Sequence, residues 1–401
     1  MDPIAGEDVD SMGDLDGPAD VDLMRRDVEE LVRFDRRTAG AGERASARYL
    51  GERLGGLGVK DIANPTFRSQ SSWAPAHLVH LALGAGLAAL PHPVARWFGA
   101  TVAGSYELEV SGRLQWARRL LPARRGVSVW ARIPAAGRSR RTLVLCAHHD
   151  AAHMGAVWHP YAVAASRRLA ATTGHAVPSH AIPLTALAAA AIPSRRIRIA
   201  AGAALALSAT LMVQSMRSRT APGANDNASG VAAVLELARQ FVSSPLPETT
   251  VLVVFPGGEE AGNTGIKDWL HQYRRQLDPE HTLVINLDSV GSRGPVVVSA
   301  REALTNTLSA DAVERAHRAA AELDLDLEQV SFPNATDAAI MTHTGLPAVS
   351  LLSVEDGWVS HLHRPSDTLD NVDWTTVSDA VRLAGQIART WVRDAQDVVA
   401  A

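Results

Sequence analysis

One cysteine, Cys146, is all the thiol that the 401-residue chain carries, which excludes an internal disulfide and suits a reducing compartment. Aromatic residues are also scarce, at 5%, so alanine and the aliphatics must supply most of the core. A basic excess is lacking: 39 Lys and Arg stand against 43 Asp and Glu, a formal charge of −4. Phosphate binding needs a basic face, so nucleic acid is not expected as a partner. No secretory signal is read at the start. Residues 1–22 are acidic and rich in Gly and Asp, the opposite of a basic segment leading an apolar one, and they read as a disordered tail. These features set the expectation of a cytoplasmic protein, or of a membrane-associated one with its main domain in the cytoplasm.

What is present is an alternation. A helical period runs from about residue 23 through Leu23, Val28, Leu31, Val32 and Phe34. A second helix, about 42–56, closes on glycines. Apolar runs at 126–132, 142–147, 250–255, 282–287, 295–299 and 346–352 read as strands, and the periods near 229–243, 262–276, 302–323 and 376–395 as helices. Near-continuous apolar strands alternating with helices predict a three-layer α/β/α fold with a mostly parallel mixed sheet. Ligands in such folds sit at the carboxyl ends of the strands.

Polar residues collect at those ends. The run 142–147 leads into His148-His149-Asp150, 250–255 into Glu259-Glu260, and 282–287 into Asp288. Asp226 in "GANDNASG" stands before the helix near 229, and "HLHRPSDT" offers His361, His363 and Asp367. Alone, each cluster has an ordinary reading: a surface pair, a solvated helix start, a helix cap. Together, in order at strand ends, they form a set of zinc-type ligands, and a cation would cancel the repulsion between Glu259 and Glu260.

The segments "HHD", "GANDNASG", "GGEEAGNTG", "INLDSVG" and "HRPSDT" resemble the five metal and catalytic motifs of the M28 metallopeptidases, the di-zinc aminopeptidase group. The resemblance extends to "RRTAGAGERASARYLGERLGGLGV" and "TDAAIMTHTGLPAVSL", and covers roughly 23–74, 122–160 and 220–395. It implies a zinc-exopeptidase domain over residues 23–401 with two zinc ions as cofactors and peptides as substrates. Asp226 would bridge the ions, with Glu260 and His363 completing one site and His148 and Asp288 the other. Asp150 would orient His148, and Glu259 would be the general base of a metal-bridged hydroxide mechanism. Two rivals accompany that reading: a glutaminyl-cyclase-like aminoacyltransferase using one zinc, and a non-catalytic receptor or scaffold of the same fold. A tyrosine that helps stabilise the oxyanion in some family members has no counterpart here, where Phe332-Pro333-Asn334 stands instead. That task would fall to the metals or Asn334. His149, His153, His159 and His361 are surplus to the motifs and read as loop or core histidines.

Two apolar inserts interrupt the domain, about 75–104 and 152–221. Residues 69–95, 169–194 and 199–216 contain no Asp, Glu, Lys or Arg, and Arg195, Arg196 and Arg198 separate the last two stretches. One reading is a pair of membrane hairpins, although a span needs about 20 apolar residues and the arginines would lie on the wrong side. The other is a helical lid or an oligomer contact. The flanking Arg113, Arg118, Arg119, Arg124, Arg125, Arg217 and Arg219 suit either a membrane surface or plain solvation.

Overall fold

The computed structural model describes residues 19–90, 94–173, 177 and 179–400. Its centre is a run of four parallel strands, β6 (Pro247–Phe255), β5 (Ala136–Cys146), β7 (Thr282–Leu287) and β11 (Ala348–Ser353), in that spatial order. On one side β4 (Val129–Ile133) and β1 (Asp61–Ala63) continue the sheet antiparallel. On the other, β8 (Val296–Glu302) joins β11 antiparallel and pairs with β10 (Glu328–Phe332) and the short β9 (Asn306–Thr307). A separate ribbon links β2 (Thr66–Ser69) to β3 (Arg124–Val127).

The central strands alternate their side chains between two apolar layers, as the pleat requires. Leu143, Leu145, Val251, Val253, Leu283 and Ile285 face one core, shared with α1 (Val21–Leu31), α2 (Ala41–Gly56), α9 (Gly230–Ser243), α11 (Ala310–Glu322) and α13 (Trp374–Ala400). Val144, Cys146, Leu252, Val254 and Val284 face the other, covered by α10 (Thr264–Tyr273) and α12 (Asp337–His343). The result is a three-layer α/β/α arrangement, and both strand faces being covered explains why the runs read as continuously apolar.

Some boundaries differ from the sequence reading. Most of the expected tail, 1–22, lies outside the described residues, and its last two, Val21 and Asp22, open α1 because the Asp20 side chain caps the Leu23 N–H at 3.0 Å. The helix expected from 302 starts at Ala310, since 302 ends β8 and Ser309 supplies the cap.

Most of the two inserts folds into one helical layer. The first gives α3 (Ala74–Ala89) and α4 (Val94–Val110), followed by the short α5 (Trp116–Leu120); the second gives α6 (Pro160–Thr173), α7 (Ala181–Ala190) and α8 (Arg195–Arg217). In that layer α3, α4, α7 and α8 pack on one another. Leu81, Tyr106, Leu187 and Leu205, from both inserts, pack into a third buried cluster. Polar links join the inserts as well: His180 Nε2 lies 2.8 Å from Glu107 Oε2, and Arg198 donates to the Leu90 carbonyl at 2.6 Å. Among the described helices, α8 alone is long and apolar enough to cross a membrane, with 28% of its apolar window buried in the protein. Helices α3 and α7, at 16 and 10 residues, are shorter.

Candidate metal centre

The seven site residues expected from the sequence converge at the carboxyl ends of β5, β6 and β7. His148 and Asp150 follow β5, Glu259 and Glu260 follow β6, and Asp288 follows β7. Asp226 lies in an irregular turn before α9, joined to Asn227 by a cis peptide bond. His363 comes from the loop after β11, its backbone in the left-handed region at φ 54°, a conformation that an L side chain adopts only when its surroundings hold it there.

Asp226 stands between two imidazoles. Its Oδ1 is 3.3 Å from His148 Nε2, and its Oδ2 is 2.9 Å from His363 Nε2. Asp288 Oδ1 lies 3.8 Å from His148 Nε2, and Glu260 Oε2 lies 3.2 Å from His363 Nε2. One ligand-type atom each of His148, Asp226 and Glu260 fall within 4.8 Å of one another. Asp226 thus lies between two donor pairs, His148 with Asp288 and His363 with Glu260.

Burial makes this arrangement electrically demanding. Burial pushes the Glu260 carboxyl up, His363 opposes it and Asp226 adds to it, and the group ends at about 7. Burial also raises Glu259 well above the carboxylate range; His148 opposes the rise, and Glu260 and Asp337 reinforce it. His363 is pulled down by burial but carried up to about 10 by Glu260 and Asp226. The pocket therefore holds its acids only by recruiting positive charge. The residues fit zinc: the donors are imidazole and carboxylate, and Glu260 Oε1 is buried with no hydrogen-bond partner.

A supporting frame holds the donors. Asp150 Oδ1 lies 3.5 Å from His148 Nδ1, which places a carboxylate behind the imidazole. Asp367 accepts the backbone N–H groups of Asn225 at 2.7 Å and Asp226 at 3.1 Å, so it fixes the turn that presents Asp226. Arg36, 1% exposed, donates to the Gly223 carbonyl at 2.7 Å beneath the same turn. Gly223 has φ 69°, and a Cβ there would come within 2.5 Å of the Arg36 guanidinium and 2.6 Å of the Asp226 carbonyl, so glycine is required. Asn263 bridges Glu259 Oε1 at 3.1 Å and Asp337 Oδ1 at 3.0 Å. The sequence reading gave Arg36, Asn263 and Asp337 no role of their own, although each lies in a quoted segment, because their contacts form only in the fold.

The surplus histidines lie apart from the donor set. His149 bonds the Val127 carbonyl and Ser46, and burial lowers it to about 4. His153 meets the Ser218 carbonyl, and His361 meets Ser366. Exposed His159 accepts from the Tyr161 N–H at 3.4 Å. Arg118, expected at a surface, is instead buried and ion-paired at 3.1 Å with Glu109.

The site opens into a cavity of about 560 Å³ roofed by the insert helices. Trp158, just before α6, sets its ring edge-on to His363 with centroids 4.3 Å apart. Asn334 also lines the cavity, its Oδ1 accepting from Ser179 at 2.5 Å.

Residues 210–388 match the model of peptidase family M28. A probable lipoprotein aminopeptidase of Mycobacterium tuberculosis is 27% identical over 184 residues, 39% of this chain and 37% of that protein. The chain thus aligns with little more than a third of that relative's length. Among solved structures, an aminopeptidase from Aneurinibacillus sp. strain AM-1 has a TM-score of 0.56 at 13% identity, over 92% of this chain and 93% of that one. A glutaminyl cyclase of Bacteroides thetaiotaomicron bound to N-acetylhistamine has a TM-score of 0.55 at 15% identity, over 92% and 97%. At those identities the likeness is one of fold. The matched segment carries Asp226, Glu259, Glu260, Asp288 and His363, so over residues 210–388 the chain is similar to peptidase family M28, and its fold is that of the zinc aminopeptidases.

Proposed function

We propose that the chain is a zinc-dependent aminopeptidase that removes N-terminal residues from peptides at a centre of two metal ions. The observation that carries this reading is the position of Asp226, whose two carboxylate oxygens each face a different imidazole, at 3.3 and 2.9 Å. One ion would be held by His148, Asp288 and Asp226, and the other by His363, Glu260 and Asp226. Zinc bound there supplies Lewis acidity toward the scissile carbonyl and a lowered pKa for water.

The chain's own residues supply the rest. Glu259 is the proton carrier: burial raises its carboxyl, which suits a group that accepts a proton from water and delivers it to the leaving amine. Asn263 holds the Glu259 carboxylate at 3.1 Å, fixing the oxygen from which the proton moves. Asp150 keeps the His148 ring oriented, so that Nε2 faces the pocket. Asn334, with its oxygen engaged by Ser179, has its amide N–H groups left to donate toward a developing oxyanion.

The test is zinc per chain, measured by mass spectrometry after dialysis, alongside hydrolysis of an aminoacyl-4-nitroanilide panel. Two zinc ions with hydrolysis support the reading. One zinc with cyclisation of glutamine-terminated peptides would shift the assignment to an aminoacyltransferase, and two zinc ions with no hydrolysis would overturn the peptidase activity.

A further inference from the structure

The walls of the active-site cavity do not all come from the sheet. Val163 and Leu169 of α6, Ile182 of α7, and Leu207, Leu211 and Met212 of α8 line it together with the metal-centre residues. Helices α6, α7 and α8 contribute no charged side chain to this lining. The charged residues on the α4–α5 side, Glu109 and Arg118, neutralise one another at 3.1 Å. Leu169, Ile182 and Leu207 remain 51%, 71% and 62% exposed while lining the same cavity. Single exposed aliphatics are ordinary on a protein surface, but three from three helices converging on one opening mark a binding site. A volume of about 560 Å³ falls within the range of small-molecule sites, and far exceeds what one scissile amide needs. Most of this wall precedes residue 210, where the family match begins.

We propose that the insert-walled part of the cavity binds a long, uncharged apolar chain of the substrate, so that the enzyme prefers amides bearing an alkyl or acyl group of about eight carbons or more. This inference rests on the hydrolytic reading above for the reaction but not for the binding. An apolar chain laid along α6, α7 and α8 would cover the three exposed aliphatics and leave the amide at Asp226, Glu259 and His363.

Two series test it on the zinc-loaded full chain. In the first, calorimetry measures binding of acetohydroxamate, hexanohydroxamate and decanohydroxamate, whose heads ligate metal whatever the reaction. In the second, kcat/KM is measured for leucyl-ethylamide, leucyl-hexylamide and leucyl-decylamide. Apolar burial gives roughly three- to fourfold per methylene, so at least one series should rise steeply with chain length. Ala204→Phe, which fills the cavity from α8, should weaken decanohydroxamate by tenfold or more and leave acetohydroxamate unchanged. Leu207→Ser, at an exposed position that folding does not need, should weaken decanohydroxamate several-fold. Chain-length responses flat in both series, or a rise that Ala204→Phe and Leu207→Ser both leave untouched, overturn the inference. A rise in hydroxamate affinity with no amide cleaved would retain the apolar site and remove the peptidase reading; cleavage with flat responses would do the reverse.

Discussion

The backbone N–H of Glu259 donates to the Oδ1 of Asp150 at 3.1 Å. The next N–H, that of Glu260, donates to Oδ2 at 3.2 Å, and Thr38 donates to the same oxygen at 2.6 Å. Oδ1 also lies 3.5 Å from His148 Nδ1. One buried carboxylate therefore sets an imidazole of one strand end and the paired glutamates of the next. The two adjacent acids after β6 have their backbone pinned at Asp150, and the Glu260 carboxylate faces His363.

Asp150→Asn tests that frame. An amide cannot accept from both N–H groups and has no charge to offer His148, so the donors should loosen without being lost. Zinc affinity, measured by competition with a chelator, should fall about 10- to 100-fold. Unchanged affinity would reduce Asp150 to a packing residue.

Glu259→Gln separates proton transfer from metal binding. Glu259 is assigned to no half-site, so zinc content should stay at the wild-type value while kcat drops by about 10²- to 10⁴-fold. Loss of zinc together with activity would make Glu259 a ligand, and near-normal kcat would assign the proton to another group.

Asp226→Ala should affect both half-sites at once. It removes the carboxylate that faces both imidazoles, so zinc loss measured after dialysis should exceed that of His148→Ala or Asp288→Ala. A variant that keeps the wild-type metal content would place the two half-sites on separate supports.

Much of this was legible beforehand, and the reason is burial. Strands covered on both faces must be apolar throughout, so His148, Glu259 and Asp288 at their ends stand out as breaks. Strand β1, at three residues and partly exposed, carries no such pattern. Asp367 was visible as a polar residue in a His-rich loop, but its grip on the Asp226 turn depends on a contact across 141 positions. Arg36 was less legible still, since an arginine in a loop reads as solvated and here is buried under Gly223. The joining of the two inserts was equally hidden. Helices α3 and α7 are apolar on nearly all sides, so periodicity gave them no face to point at a partner.

Glu302 gives a pH dependence that is set mainly by burial and can be read with the metal removed. It is fully buried, accepts from the Thr336 N–H at 2.7 Å and from its hydroxyl at 2.9 Å, and burial raises its pKa from 4.5 to about 8. The folded state therefore keeps a proton that the unfolded state releases near 4.5. The contribution to stability is fully present below pH 4.5 and is lost as pH rises to 8, at up to about 1.4 kcal/mol per pH unit. Glu302→Gln cannot ionise, so denaturant unfolding at pH 5, 6, 7 and 8, with metal chelated, should show a shallower decline than wild type. Parallel curves would mean that Glu302 titrates normally.

Leu187→Ala tests whether the insert layer is a unit apart from the metal centre. Leu187 is 0% exposed in the cluster that joins both inserts, and the absent Cβ of Gly84 leaves the space that its side chain fills. Truncation leaves a cavity between α3 and α7, a change that costs about 2–5 kcal/mol in a packed core. No metal donor lies on these helices, so the loss should appear as faster hydrogen exchange across 74–110 and 160–217 while zinc content is unchanged. If Leu187→Ala instead releases zinc, the roof and the centre form one cooperative unit, and the helices over the cavity help to hold the metal donors in place.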